Sequence, residues 1–203
     1  MEPSPMSVAP PGSMVAYSGS WVWTREMSSH LDFFADFAVT GMVLGVGLGS
    51  RPDEWPGVLG PNFHEASWTD RHLVRQFGFV DANFHDGSGE WACDCVKVNP
   101  WQLHRFDDFV PKAIGSRYGS LPSQVPFEEV ANRLVSAGVE IYHVSRVAVA
   151  SLEQYWIPDG KVIFSLISEY QLEDFPALRL GDVYEAYTTT GVDLRAELLT
   201  RYR

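Results

Sequence analysis

The spacing of apolar residues predicts helices in the first third of the chain. In HLDFFADFAV, residues 30–39, apolar side chains recur at helical spacing, and Ser28 or Ser29 precedes them as an N-cap. A glycine-rich corner, VLGVGLG at residues 43–49, follows this helix. Residues 52–60, PDEWPGVLG, predict only a short helix, because their prolines and their final glycine limit its length.

From His72 onwards polar and apolar residues alternate, which predicts β-strands. Asp86–Gly89 lies between two β-rich runs and is a hairpin signal. We therefore expect a three-stranded antiparallel meander. Its strands lie in HLVRQFGFVDANF, EWACDCVKVN and WQLHRF.

The second half of the chain has a loosely similar order of helix and strands. PFEEVANRLVSAG, residues 126–138, predicts an amphipathic helix that ends at Gly138. VDLRAELLTRY, residues 192–202, is typical of a terminal helix. Between the two helices, strands are expected in VEIYHV, in EQYWI turning into KVIFSLI, and in DVYEAY.

These elements predict an α+β fold, with one or more antiparallel sheets and a few flanking helices. Residues 1–20 are rich in Pro, Ser and Gly and are expected to form a mobile tail. A first α+β half would then span residues 21–120 and a similar second half residues 121–203, packed as one compact unit on one extended sheet or two packed sheets. A parallel βαβ fold is disfavoured.

The charge of the chain narrows its possible partners. Among 203 residues there are 26 acidic and 15 basic side chains, so the net charge is −11. Such a surface repels the phosphates of nucleic acid and anionic lipid, and no basic stripe is present to offset it. We therefore expect no binding to nucleic acid or membranes.

The two cysteines and the N-terminal segment indicate the compartment. Two cysteines that are two positions apart, Cys93 and Cys95, exclude a disulfide framework, and a reducing environment fits them. The N-terminus lacks the basic and apolar regions of a signal peptide, and the longest apolar run is too short to cross a bilayer. A cytoplasmic location is expected.

The glycine-rich corner raises the question of a phosphate site. A dinucleotide-binding turn needs G-x-G-x-x-G leading into a full helix. Here Gly45, Gly47 and Gly49 follow G-x-G-x-G spacing, and prolines shorten the next helix. The pattern therefore favours a tight corner, with Ser50 or Asp53 capping the short helix.

Cys93, Cys95 and His104 are the candidates for a metal site or a nucleophile. C-x-C with one distant histidine lacks the second paired element of a zinc site, so no metal or other cofactor is predicted. The cysteines are more typical of small buried hydrophobes, one of them facing the core through a bulge. His85 and His104 are possible bases, but no oxyanion-hole turn accompanies them. His85 also lies beside Asp86, and the hairpin signal favours a turn there over a catalytic dyad.

The strongest functional pattern is EYQLEDFPALRLGDVYEAY, residues 169–187, in which carboxylates interleave with aromatic rings. Charges orient a basic partner and rings supply contact energy on desolvation, so the segment is a candidate surface for binding a protein. The alternative is a strand with polar outer and aromatic inner positions. The predicted contact residues are Glu169, Tyr170, Glu173, Asp174, Phe175, Asp182, Tyr184 and Glu185.

Several motifs resemble a known family. They are LGxxPxEWxxxLG at residues 48–60, LVRQFGFVDANF, EWACDCVKVNPWQLHRF, PFEEVANRLVSAGV and EQYWIPDGKVIFSLI. Over residues 42–168 the chain resembles predicted immunity proteins of actinobacterial polymorphic toxin systems. It departs from them in the Cys93/Cys95 pair, in the Asn-Pro-Trp insertion at residues 99–101 and in its long acidic C-terminal segment.

The resemblance implies a small acidic protein without catalytic activity, which binds a cognate toxin domain and blocks its active site. The partner would be a protein toxin with a basic cleft. Two other classes remain open. One is a small hydrolase or nucleotide-acting enzyme using His85, His104 or the cysteines, and the other is a structural component of a larger assembly.

Overall fold

The computed structural model describes residues 14–17, 20–23, 29–87, 89–104, 110–144, 152–188, 190 and 199–202. The helices are α1 His30–Thr40, α2 Glu54–Leu59, α3 Lys112–Tyr118, α4 Phe127–Ser136 and α5 Glu169–Leu172, with a 3₁₀ helix at Pro100–His104. The strands are β1 Met14–Tyr17, β2 Ser20–Trp23, β3 Met42–Val43, β4 Val46–Gly47, β5 His64–Thr69, β6 His72–Phe77, β7 Val80–Asp86, β8 Trp91–Val98, β9 Tyr142–Val144, β10 Glu153–Ile157, β11 Val162–Leu166, β12 Val183–Thr188 and β13 Leu199–Arg201.

The described strands form one large antiparallel sheet and two small hairpins. The large sheet has nine strands in the order β13-β9-β10-β11-β12-β8-β7-β6-β5. Strands β5 to β8 form one meander and β9 to β12 another, and β12 pairs with β8 to join them. The α+β prediction is confirmed, and these nine strands form one extended sheet rather than two packed sheets.

One face of this sheet carries the hydrophobic core. Along β7, Val80, Ala82 and Phe84 are fully buried against the helices. Helix α1 begins at the N-cap Ser29, as expected, and buries Phe34 and Phe37 completely. Because side chains alternate along a strand, the opposite face receives the intervening residues, which are mostly polar.

Several predicted elements differ in the structure. The single long strand from His72 is divided by a turn at Gly78, whose φ is 66°, and WQLH forms the 3₁₀ helix instead of a strand. Residues 199–201, predicted as helix, form β13 because they pair with the otherwise free edge of β9. The hairpin β1–β2 falls partly within the segment that was expected to form a mobile tail.

The glycine-rich corner is the β3–β4 hairpin and its exit. Gly45 and Gly49 have φ values of 95° and 81°, which side chains rarely adopt. The N–H of Gly49 donates to the carbonyl of Cys93 at 2.8 Å, and the Cys93 N–H donates to the Ser50 carbonyl at 2.8 Å. The Trp55 indole N–H donates to Ser50 Oγ at 2.8 Å. The corner thus holds the chain against β8.

No helix among the described residues combines the length and the apolar character that crossing a bilayer requires.

Candidate partner-binding surface

The predicted contact segment divides into parts with different surroundings. Glu169, at the start of α5, and Glu173 and Asp174, just after it, are exposed. Tyr170 also lies in α5, but its side chain lies outside the described part of the structure. Three carboxylates therefore lie close together along the chain and face solvent.

An aromatic cluster lies beside these carboxylates. The Phe175 ring contacts the Tyr184 ring edge-on, with centroids 5.4 Å apart. Trp101, from the 3₁₀ helix, lies 5.2 Å from Phe175 and stacks on Tyr184 at 6.0 Å and 9°. A cleft of about 330 Å³ opens next to them. It is lined by Trp101, His104, Asp174, Phe175, Pro176, Ala177 and Leu178.

Sequence reasoning missed Trp101 as part of this surface. It lies far from residues 169–187 in the chain, and the Asn-Pro-Trp insertion was noted only as a departure from a family pattern. Pairing of β8 with β12 brings the end of β8 beside the start of β12, and the 3₁₀ helix follows β8 directly. The insertion was the only local signal for this surface. The pairing of the distant strands β8 and β12 is what places Trp101 beside Phe175 and Tyr184.

Asp182 does not belong to an exposed surface, which corrects the prediction for this residue. It is only 2 % exposed, and its carboxylate accepts a hydrogen bond from the backbone N–H of Arg179 at 2.8 Å. Burial raises the pKa of the Asp182 carboxyl, and this hydrogen bond opposes the rise. The side chain therefore stabilises the turn that leads into β12.

Glu185 projects from the opposite, polar face of the sheet. Its carboxylate forms an ion pair with Lys97 at 2.9 Å, and the side chain is 17 % exposed. The registers of β7, β8 and β12 place Asp81, Lys97 and Tyr187 in one row across this face. Glu185 thus belongs to a polar cluster within the sheet and lies apart from the exposed carboxylates of α5.

Asp81 is the most perturbed carboxyl group of this cluster. Its Oδ2 accepts a hydrogen bond from the Asn99 amide at 2.9 Å, whereas Oδ1 is buried without a hydrogen-bond partner among the described residues. Burial raises the pKa of Asp81 from its ordinary 3.8 to about 6, although Asn99 and the nearby Lys97 charge both oppose the rise. The ionised form is therefore disfavoured in the folded protein.

The raised pKa predicts a pH-dependent effect of the substitution Asp81→Asn. Below about pH 4 the carboxyl is protonated in both the folded and unfolded states and costs nothing. Between about pH 4 and pH 6 the unfolded chain ionises this carboxyl while the folded protein keeps it protonated, so stability falls; above about pH 6 the buried anion costs the full amount of about 3 kcal/mol. We expect Asp81→Asn to raise the free energy of unfolding by about 2 kcal/mol near pH 7.5, because the buried amide still lacks full solvation. Near pH 4 little gain is expected.

Urea unfolding at both pH values measures this difference. The exposed Asp53, which pairs with Arg51 at 3.4 Å, provides the control substitution Asp53→Asn. That control should change stability by less than about 0.5 kcal/mol at either pH. An equal gain in the free energy of unfolding from Asp81→Asn at both pH values would contradict a raised pKa for Asp81.

The cysteines lie on opposite faces of the sheet. Phe84 pairs with Cys93 and Asn83 with Cys95, so the register shifts at this bulge. Cys93 therefore faces the core, as expected for one of the pair. Burial raises the pKa of Cys93 to about 12 and that of Cys95 to about 11, which keeps both thiols protonated near neutral pH.

The structure does not assemble the other candidate catalytic or metal-binding groups. His104 is exposed at the end of the 3₁₀ helix, and no group of three or more metal-binding side chains occurs within the described residues. The His85 ring contacts the His72 ring at a tilt of 42°, with ring centroids 4.5 Å apart. Asp86 instead accepts the Gly89 N–H at 2.6 Å, so it stabilises the hairpin turn.

Comparison with known proteins identifies no relative. No protein-family model matches the chain, and no curated protein or solved structure matches it either. What the chain does has therefore to be inferred from its own charges and geometry.

Proposed function

We propose that this chain is an immunity-type inhibitor that binds a cognate protein toxin and blocks its active site. The observation that supports the proposal is the acidic–aromatic surface, formed by the carboxylates of Glu169, Glu173 and Asp174 and the rings of Trp101, Phe175 and Tyr184. Of these groups, Trp101, Asp174 and Phe175 line the cleft of about 330 Å³.

The charges of this surface suit a basic partner. Exposed carboxylates accelerate the encounter with a positively charged cleft and orient the two proteins, while aromatic side chains contribute contact energy once water is excluded. A net charge of −11 adds long-range attraction of the same sign. Toxins that act on nucleic acids or nucleotides have clefts that attract phosphate, so an acidic inhibitor is complementary to them.

Other groups support an inhibitor over an enzyme. Both thiols are held in the protonated form, and Asp86 is engaged in its turn instead of orienting His85. The resemblance of residues 42–168 to predicted immunity proteins points the same way. The proposal therefore assigns the acidic–aromatic surface to binding and no residue to catalysis.

Isolation of the partner is the first test. The tagged protein would be purified from its native cells with a moderate-salt wash, and bound proteins identified by mass spectrometry. We expect one stoichiometric partner with a basic domain, and addition of the purified chain should suppress that domain's toxicity. A partner whose activity is unchanged by saturating amounts of the chain would refute inhibition.

Charge reversal then tests the surface itself. The double substitution Glu173→Lys/Asp174→Lys should weaken partner affinity about 100-fold, mainly through slower association, because it replaces two steering charges with repulsive ones. Binding kinetics at low and high salt would show the effect, which should shrink as salt screens the charges.

Helix α4 provides a matched control. Glu128 and Glu129 are also adjacent and exposed, and Glu128→Lys/Glu129→Lys changes the net charge by the same amount. This control should retain affinity within about threefold, since it alters overall charge but not the acidic–aromatic surface. Equal losses from both double variants would indicate that only net charge matters.

A further inference from the structure

A second and larger cavity lies at the end of the sheet where β6 turns into β7. Its volume is about 790 Å³, within the range of cavities that hold small organic ligands. Helix α2, strands β5 and β6, the 3₁₀ helix and the start of α3 all contribute to its walls. The described lining residues are Leu59, Gly60, Pro61, Asn62, Phe63, His64, Gln76, Phe77, Gly78, Trp101, Gln102, Val110, Pro111 and Lys112.

The lining combines aromatic rings with polar side chains. Phe63 and Phe77 pack together, with centroids 5.1 Å apart, and Trp101 forms another wall. Asn62 and Gln102 bring amide side chains to the same space. Ligand sites characteristically have such apolar walls with a few polar groups that fix orientation.

The charge of the described lining residues differs from that of the whole protein. The chain has 26 acidic residues, yet none of the described lining residues is Asp or Glu. Lys112 is exposed at the rim and forms no ion pair within the described part of the chain. A positive charge is therefore available here on an otherwise acidic molecule.

Arg75 further disfavours a cationic ligand. Its guanidinium group lies 4.7 Å from the centre of the Phe63 ring and is paired with Glu65 at 2.7 Å. One face of the aromatic wall is thus already in contact with a cation. A ligand with an apolar ring system and a negative group fits the rings, the amides and the Lys112 ammonium together.

We propose that this cavity binds a small anionic aromatic molecule, with its rings against Phe63, Phe77 and Trp101 and its anionic group near Lys112. Ligand binding here does not depend on the proposed inhibition of a toxin, although Trp101 also belongs to the acidic–aromatic surface. Asn62 and Gln102 would donate hydrogen bonds from their amides to the anionic group.

The test uses anilinonaphthalene sulfonate, whose fluorescence rises on entering an apolar site. Its neutral analogue, N-phenylnaphthylamine, has the same rings without the sulfonate. We expect saturable binding of the sulfonate to the full, folded chain at one site per molecule. Lys112→Gln removes a positive charge and Gln102→Glu adds a negative one. Each should therefore weaken the affinity for the sulfonate about fivefold and leave the affinity for the neutral analogue unchanged.

Lys161→Gln is the matched control, because Lys161 is another exposed lysine, in the β10–β11 turn, and does not line the cavity. It should leave the affinity for both probes unchanged. Non-saturable binding would overturn the proposal. The proposal would also be overturned if the variants lowered the affinity for both probes equally, or for neither probe. The comparison of two variants and two probes keeps the result decisive even if one variant fails to fold.

Discussion

The substitution Gly160→Ala is expected to lower the free energy of unfolding by about 3 kcal/mol or more. Gly160 lies in the turn between β10 and β11, where the backbone passes directly against the end of α1. A Cβ atom at this position would overlap the carbonyl oxygen of Ala38 and lie 2.7 Å from the backbone nitrogen of Gly41. Backbone atoms of a helix cannot rotate away as side chains can, so the turn and α1 would have to separate.

Gly41 shows the same close approach from the other side. It is the C-cap of α1 with a φ of 65°, and a Cβ on it would overlap the carbonyl oxygen of Gly160. The two glycines therefore let α1 contact the β10–β11 turn backbone to backbone. Loss of this contact would loosen α1 from the sheet that it covers.

Urea denaturation would measure the effect, with Gly57→Ala as the control. Gly57 lies within α2, and a Cβ there would have no heavy atom within 4 Å. Gly57→Ala should therefore raise stability by about 0.5 kcal/mol, because alanine favours helix more than glycine does. Similar effects of the two substitutions would show that the Gly41–Gly160 contact is not tight.

The second large effect is expected for Arg133→Ala, at about 3 kcal/mol of lost stability. Arg133 on α4 forms an ion pair with Asp32 on α1, whose side chain is only 3 % exposed. Asp32 also accepts the backbone N–H of Ser29 at 2.6 Å. Removing the guanidinium would leave a buried carboxylate whose remaining donors among the described residues are those of Ser29, which do not neutralise its charge.

Two further variants distinguish the effect of an unpaired buried charge on stability from the effect of losing any arginine. Arg117→Ala removes a mostly exposed partner, which lies 3.7 Å from Asp36, and should cost less than about 1 kcal/mol. The double variant Asp32→Asn/Arg133→Met removes both charges and should be more stable than Arg133→Ala alone. A double variant that is no better would argue that packing of Arg133, rather than its charge, is what matters.

Short-range patterns predicted the elements whose signals are local. The capping residue Ser29 and the apolar spacing of α1 place that helix, and the Asp86–Gly89 turn places the β7–β8 hairpin. The pattern missed β5, because its residues are nearly all exposed on the edge of the sheet and carry no apolar alternation. An edge strand forms through backbone pairing with β6, which side-chain hydrophobicity does not report.

The candidate surface was predictable only in part, for a related reason. Glu173 and Asp174 are exposed, as their acidic character suggested. Asp182 and Glu185 have the same chemistry but lie in a turn and on the polar sheet face. Carboxylates look alike in a sequence, and only their neighbours decide whether they face solvent, accept a backbone N–H or pair with a lysine.

The sequence alone determined the α+β class, the net negative charge and the positions of α1, α2 and α4, because capping, periodicity and charge act over a few residues. Only the tertiary structure decided the rest. Pairing of β8 with β12 joined two meanders into one sheet and brought Trp101 to Phe175 and Tyr184. The cavity near Lys112 also gathers residues from distant segments. Such contacts depend on which strands and helices pack together, which no local pattern specifies.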